Sequence, residues 1–189
     1  MTTQLVFGVL AVRAVGATAL DKQKLEGLWT PIRCEIGGVC RPPELVDRMA
    51  QMVLLVGDYL SGWDGLWAAV TYGYEGGTWT EADVKEACRH IILGPEREGI
   101  PLAPDFYLWA GGRFRVATDH WPGEIDLEQF WRGQVLPSKQ LGLYCLAGDW
   151  LTLCLSESGR ARPSKLRSDE HSYQCLEEFK HDGARRTKR

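Results

Sequence analysis

Eight tryptophans in 189 residues, running from Trp29 to Trp150, constrain this chain more than any other feature. One residue in about 24 is an indole, well above an ordinary globular load. Each indole needs either an apolar cavity with a partner for its N–H or a surface where a large amphipathic ring makes contacts. A chain of this length suits one domain with a single core. At 44% hydrophobic and 25% charged, its composition is that of a globular protein, neither disordered nor membrane-like.

Hydrophobic periodicity predicts a mixture of helices and strands. Leu5 to Val12 is an apolar run of strand length, far short of the roughly 20 residues that cross a bilayer. The competing reading is a secretory h-region with Ala17-Thr18-Ala19 as its cleavage site. Against it, Met1–Gln4 carries no Lys or Arg, and Arg13 interrupts the run. The expected compartment is the cytoplasm. Asp21 to Trp29 reads as a short helix stopped at Thr30-Pro31, and Ile32 to Cys40 as a loop or hairpin around Gly37-Gly38.

The longest predicted helix follows. Pro42 and Pro43 suit a first turn, and Leu45, Val46, Met49, Met52, Val53, Val56 and Leu60 fall on one face until Ser61-Gly62. Leu66 to Tyr74 is β-rich. Thr80 opens a second helix with Asp83 three residues on, an approximate capping box, and Gly94-Pro95 ends it. Two hairpins are expected, around Gly111-Gly112 and around Gly148-Asp149, with a turn at Pro122-Gly123 and a short helix over Asp126 to Trp131 between them. The resulting fold class is α+β, a largely antiparallel sheet with two main helices packed on one face. From Ser156 the texture turns polar and rich in breakers. The domain is therefore expected to span residues 1–155, with 156–189 a basic extension that is partly disordered or holds a short helix at Tyr173 to Lys180.

Charge follows the same division. Residues 156–189 hold nine Lys/Arg and six Asp/Glu, leaving thirteen and nineteen in residues 1–155. An acidic body favours a basic partner through electrostatic steering. The terminal Arg185-Arg186-Thr187-Lys188-Arg189 is the one basic cluster, without interleaved aromatics, and argues for a solvated end more than for nucleic-acid binding.

Motifs for chemistry are few. There is no phosphate-cradling glycine loop, no G-x-S-x-G and no H-E-x-x-H, and the Gly-Gly pairs read as turns. Cys34, Cys40, Cys88, Cys145, Cys154 and Cys175 form no C-x-x-C pair. Buried free thiols are expected, with a Cys34–Cys40 disulfide as the alternative. A zinc site would have to gather ligands from distant segments. No metal or other cofactor is expected. Asp119-His120 is the only pair with a catalytic look, and Glu124, Asp126 and Glu128 read as the acidic first turn of a helix.

The tryptophans separate by context. Trp29, Trp67 and Trp109 sit among apolar neighbours and read as core, whereas Trp63, Trp79 and Trp121 lie in turn-like sequences. Asp58, Asp64, Glu75, Glu81 and Asp83 would give the first two of these an acidic rim. The residues expected to touch a partner are Trp63, Asp64, Glu75, Trp79, Asp83 and Trp121.

One family enters at this point. Ser61-Gly62-Trp63-Asp64, then Arg97-Glu98-Gly99-Ile100-Pro101 leading into Phe106-Tyr107-Leu108-Trp109-Ala110-Gly111-Gly112, resembles bacterial polymorphic-toxin immunity proteins, most nearly the Imm52 group. The resemblance covers residues 40–120. It implies a small α+β inhibitor that binds a toxin, here of restriction-endonuclease type, and blocks its active site. The expected function is therefore non-enzymatic: binding and inhibition of a protein partner, such as a cognate toxin. A viral or mobile-element accessory protein that engages a host factor is the first alternative, and a small hydrolase using His120 the second.

Overall fold

The computed structural model describes residues 22–57, 62–72, 82, 106–131 and 134–181. Nine strands dominate them: β1 Gly27–Ile36, β2 Val39–Cys40, β3 Gln51–Val56, β4 Gly65–Tyr72, β5 Phe106–Ala117, β6 Gly123–Trp131, β7 Gln134–Ala147, β8 Trp150–Ser156 and β9 Gln174–His181. One single-turn helix, α1 Pro43–Val46, joins β2 to β3. Every neighbouring pair is antiparallel, and β1 pairs with β9, so eight strands close into a barrel with β2 as an extra short strand. The α+β expectation is thereby overturned.

Alternation explains the closure. One face of each strand fills the lumen: Trp29 from β1, Met52 and Leu54 from β3, Trp67 from β4, and Phe114 and Val116 from β5. Ile125 and Leu127 from β6, Tyr144 from β7, Leu151, Leu153 and Leu155 from β8 and Phe179 from β9 complete the ring. Small barrels are filled by side chains in this way and leave no channel. A second set, Val53, Leu55, Leu66, Ala68 and Val70, points to the opposite face of β3 and β4 and is also buried. Local shifts of register at Pro31/Arg33, Ala69/Val70 and Glu128/Phe130 mark bulges, which bend strands into a barrel.

The helix expected from Pro42 to Leu60 is the largest correction. Its prolines do open a helix, but one of four residues, and Gln51–Val56 is a strand. A strand buried on both faces is apolar at nearly every position, and such a run satisfies helical spacing as readily as any other. The helix expected over Asp126 to Trp131 is likewise part of β6, where Ile125 and Leu127 point inward and Glu124, Asp126 and Glu128 outward. Of the helix expected over Asp21 to Trp29, Lys22-Gln23 is helical among the described residues, and β1 begins at Gly27.

Gly111-Gly112 is not a turn either. β5 runs straight through it, because a Cβ on Gly112 would sit 1.8 Å from the Glu128 carbonyl oxygen. Gly112 instead faces Trp67 across the β4–β5 pair, and the Trp67 indole donates to that same carbonyl at 3.1 Å. The hairpin at Gly148-Asp149 forms as expected, with Ala147 opposite Trp150. The β-rich segment after Leu66 corresponds to β4, and the Gly37-Gly38 hairpin to the β1–β2 turn. The expected strand at Leu5–Val12 lies outside the described residues, as does the expected Thr80 helix apart from Ala82, which is helical.

Residues after Leu155 belong to the domain. Segment 157–173 straps the outside of the barrel, and Arg162 anchors it by donating to the Ile125 and Gly142 carbonyls at 3.1 and 2.6 Å. The same guanidinium pairs with Asp126 at 2.6 Å and Glu124 at 3.2 Å. The short helix expected at Tyr173 to Lys180 is instead a strand, Gln174–His181, which closes the barrel between β8 and β1.

Candidate functional site

Antiparallel order sends alternate connections to the same end of a barrel. Here the β3–β4 connection, the β5–β6 bend, the β7–β8 turn and the end of β9 share one end with residues 22–26. Two of the exposed aromatics are there. Trp121, in the β5–β6 bend, is 74% exposed, and Trp150, just after the β7–β8 turn, is 49% exposed. Trp121 lies two residues before Gly123, whose partner is Tyr144, while Trp150 faces Ala147, three residues further along β7. The two residues therefore lie at the same end of the barrel, on either side of β7. Lys180 approaches the Trp150 ring at 5.9 Å.

His120 and Asp119 flank Trp121. The imidazole Nδ1 is 2.7 Å from the Pro122 carbonyl, to which it can only donate, and Nε2 lies 3.4 Å from Glu124 and 3.9 Å from Asp119. Two carboxylates face the ring, and among the described residues no Ser, Thr or Cys side chain bonds to it. A shallow depression of about 490 Å³ opens nearby, with Trp29 and Leu146 as apolar lining and Glu26, Asp149 and His181 as polar lining. The His181 ring stands edge-on to Trp29 at 4.8 Å and 79°, with Nε2 3.3 Å from the Glu26 carbonyl oxygen. Gly27, at φ +146°, makes room: a Cβ there would lie 2.1 Å from His181 Nε2.

The expected contact residues fare differently. Trp121 is open to solvent. Trp63 is half-buried and covered by cations, with Arg113 at 4.4 Å, Lys139 at 4.9 Å and Arg115 at 5.3 Å from its ring. Such stacking contributes roughly 0.5–1 kcal/mol per exposed pair, so this indole already has partners within its own chain. Asp64 is engaged too: one oxygen accepts the Val116 N–H at 2.8 Å and the other pairs with Lys22 at 2.7 Å. Together they tie the β3–β4 connection to β5. Glu75, Trp79 and Asp83 lie outside the described residues. Trp150 escaped the sequence reading, although its place beside Gly148-Asp149 was the available signal.

The cysteines form a second centre of interest. Cys34, Cys40, Cys145, Cys154 and Cys175 are free thiols. Cys34 is not bonded to Cys40, which pairs with Glu35. Its neighbour is Cys175, with the sulfurs 3.7 Å apart, and Glu177 joins them so that the three donor atoms lie within 4.8 Å of one another. Cys175 and Glu177 pair with Leu155 and Leu153, and Cys34 with Glu177, so all three face the barrel interior. Burial pushes the Cys34 and Cys175 thiols above their usual range, with the Glu177 charge adding to it, and burial likewise raises Glu177. Cys154, on the opposite face under the strap, is pushed up by burial to about 11, against a partial offset from its hydrogen bond to the Arg167 carbonyl.

No protein-family model matches the chain, and no curated protein or solved structure shows significant similarity to it. No helix among the described residues is long and apolar enough to cross a membrane.

Proposed function

We propose that this protein binds and inhibits another protein, using the barrel end that carries Trp121 and Trp150. The observation that carries the reading is the Trp121 indole, 74% exposed beside Asp119, whose side chain is 83% exposed. A large rigid ring with an acidic neighbour is the kind of side chain that anchors protein interfaces. Two other modes of recognition have less support. The barrel lumen is packed with Trp29, Trp67, Phe114 and Phe179, which leaves little room for a carried ligand. Among the described residues every strand except the two-residue β2 has a paired neighbour on both sides, so strand addition has little to build on.

The likeness of Ser61–Asp64 and Arg97–Gly112 to immunity proteins makes a toxin-like product of a neighbouring gene the first partner to test. Co-expression of the two should yield a complex that survives purification. Trp121→Ala should weaken it by about 2 kcal/mol or more, roughly thirtyfold, as hot-spot truncations do. A Trp121→Ala variant that co-purifies as well as the parent would overturn the assignment of this end.

A further inference from the structure

We infer that β1 and β9 hold a zinc-type divalent cation between the sulfurs of Cys34 and Cys175 and a carboxylate oxygen of Glu177. The geometry is that of a coordination shell. Two thiolates bound at about 2.3 Å in a tetrahedron stand about 3.8 Å apart, and the Cys34 and Cys175 sulfurs are at 3.7 Å. The Glu177 oxygen completes a triangle with every side under 4.8 Å.

Register separates this arrangement from a disulfide. Cys34 is directly opposite Glu177, and Cys175 is opposite Ile36, so the two cysteines are diagonal neighbours. Diagonal Cα atoms are about 7–8 Å apart, beyond the roughly 6.8 Å that a disulfide spans without backbone movement. A metal ion bridges the longer gap. Glu177 gives a second indication. It lies on the lumen face beside Leu153, its side chain bonds only within the cluster, to the Cys175 thiol, and among the described residues no Lys, Arg or His forms an ion pair with it. Carboxylates in such places are normally paired or metal-bound.

The donor set selects the ion. Two sulfurs and one oxygen suit zinc, whereas calcium and magnesium require oxygen throughout. Binding displaces the two thiol protons to solvent, together with the carboxyl proton where Glu177 carries one. The bound cluster then has a net charge of −1, and Arg41 is close enough to act on the Cys34 charge favourably. Three protein ligands leave the fourth position of the tetrahedron to water or an added ligand. Because the ligands come from β1 and β9, the ion clamps the seam where the barrel closes. Its binding energy therefore adds to folding stability.

The test uses the full chain, reduced and stripped with a chelator, then titrated with Co²⁺ and displaced by Zn²⁺. One equivalent of Co²⁺ should give the intense visible bands of a tetrahedral site with thiolate charge transfer. Cys34→Ser and Cys175→Ser should each weaken binding by roughly a hundredfold or more, and Glu177→Gln by about tenfold, whereas Cys154→Ser should leave it unchanged. Zn²⁺ should also protect Cys34 and Cys175 of the parent protein from alkylation, a readout that needs no variant to fold. A folded, reduced parent that gives no tetrahedral Co²⁺ spectrum would overturn the inference. Equal loss in Cys154→Ser, or no Zn²⁺ protection of the two thiols, would do the same.

Discussion

At the scale of single residues, the tryptophans do opposite work in the same molecule. Trp29 and Trp67 are nearly fully buried in the lumen, each with its indole N–H bonded to a backbone carbonyl, Leu25 and Glu128 respectively. Truncating Trp67 to Ala removes that volume and leaves the Glu128 carbonyl without its indole donor, so urea unfolding should show a loss of about 3–5 kcal/mol. Trp121→Ala deletes no such contact and should change stability by less than about 0.5 kcal/mol. The contrast separates a binding residue from a structural one by measurement. Cys154 makes a pH prediction. Its thiol is raised to about 11 in the folded state by burial, against about 8.5 in an unfolded chain. The stability it contributes is fully present below about 8.5 and is lost as pH rises through about 11, because unfolding frees the thiol to ionise. Unfolding free energies measured across that window should fall with pH, and Cys154→Ala should fall less steeply. Equal slopes would show that this thiol is not the group responsible.

At the scale of elements, legibility depended on how clearly turn residues bounded an apolar run. The Gly148-Asp149 hairpin was readable because a two-residue turn separates two compact runs, and β4 because its segment was short and apolar. β3 was not, since Met52 and Leu54 face the lumen while Val53 and Leu55 are buried on the other side. In β6 the strict alternation of Glu124, Ile125, Asp126, Leu127 and Glu128 was a strand signal hidden by its acidic residues. Their partners, Arg113 for Glu128 and Arg162 for Asp126, come from distant parts of the chain. The candidate site was legible only in Trp121, because exposure of an indole is decided by tertiary packing. Gly112→Ala tests the reassignment of the Gly-Gly pair: its Cβ would collide with backbone, so expression of folded protein should drop sharply. A turn at that position would tolerate the change. Arg162→Ala tests the strap, and should cost about 2 kcal/mol by leaving charged and backbone groups unpartnered.

At the scale of the whole molecule, closure is the decisive property. β1 and β9 come from opposite ends of the described chain, and their pairing turns an open sheet into a barrel. A chain cut after Leu155 loses both the strap and β9, exposing the edges of β1 and β8 and the lumen that Phe179 helps to fill. It should fail to give a cooperative unfolding transition, although the sequence alone placed a domain boundary there. A sealed, filled barrel leaves its exposed ends and outer surface as places to meet a partner, and the Trp121 end is the one assigned that role. Hydrogen exchange of the protein alone and in its co-purified complex tests this most directly. The account predicts that protection appears at residues 118–123 and 147–151. Protection confined to the 157–173 strap, with those two segments unchanged, would contradict it.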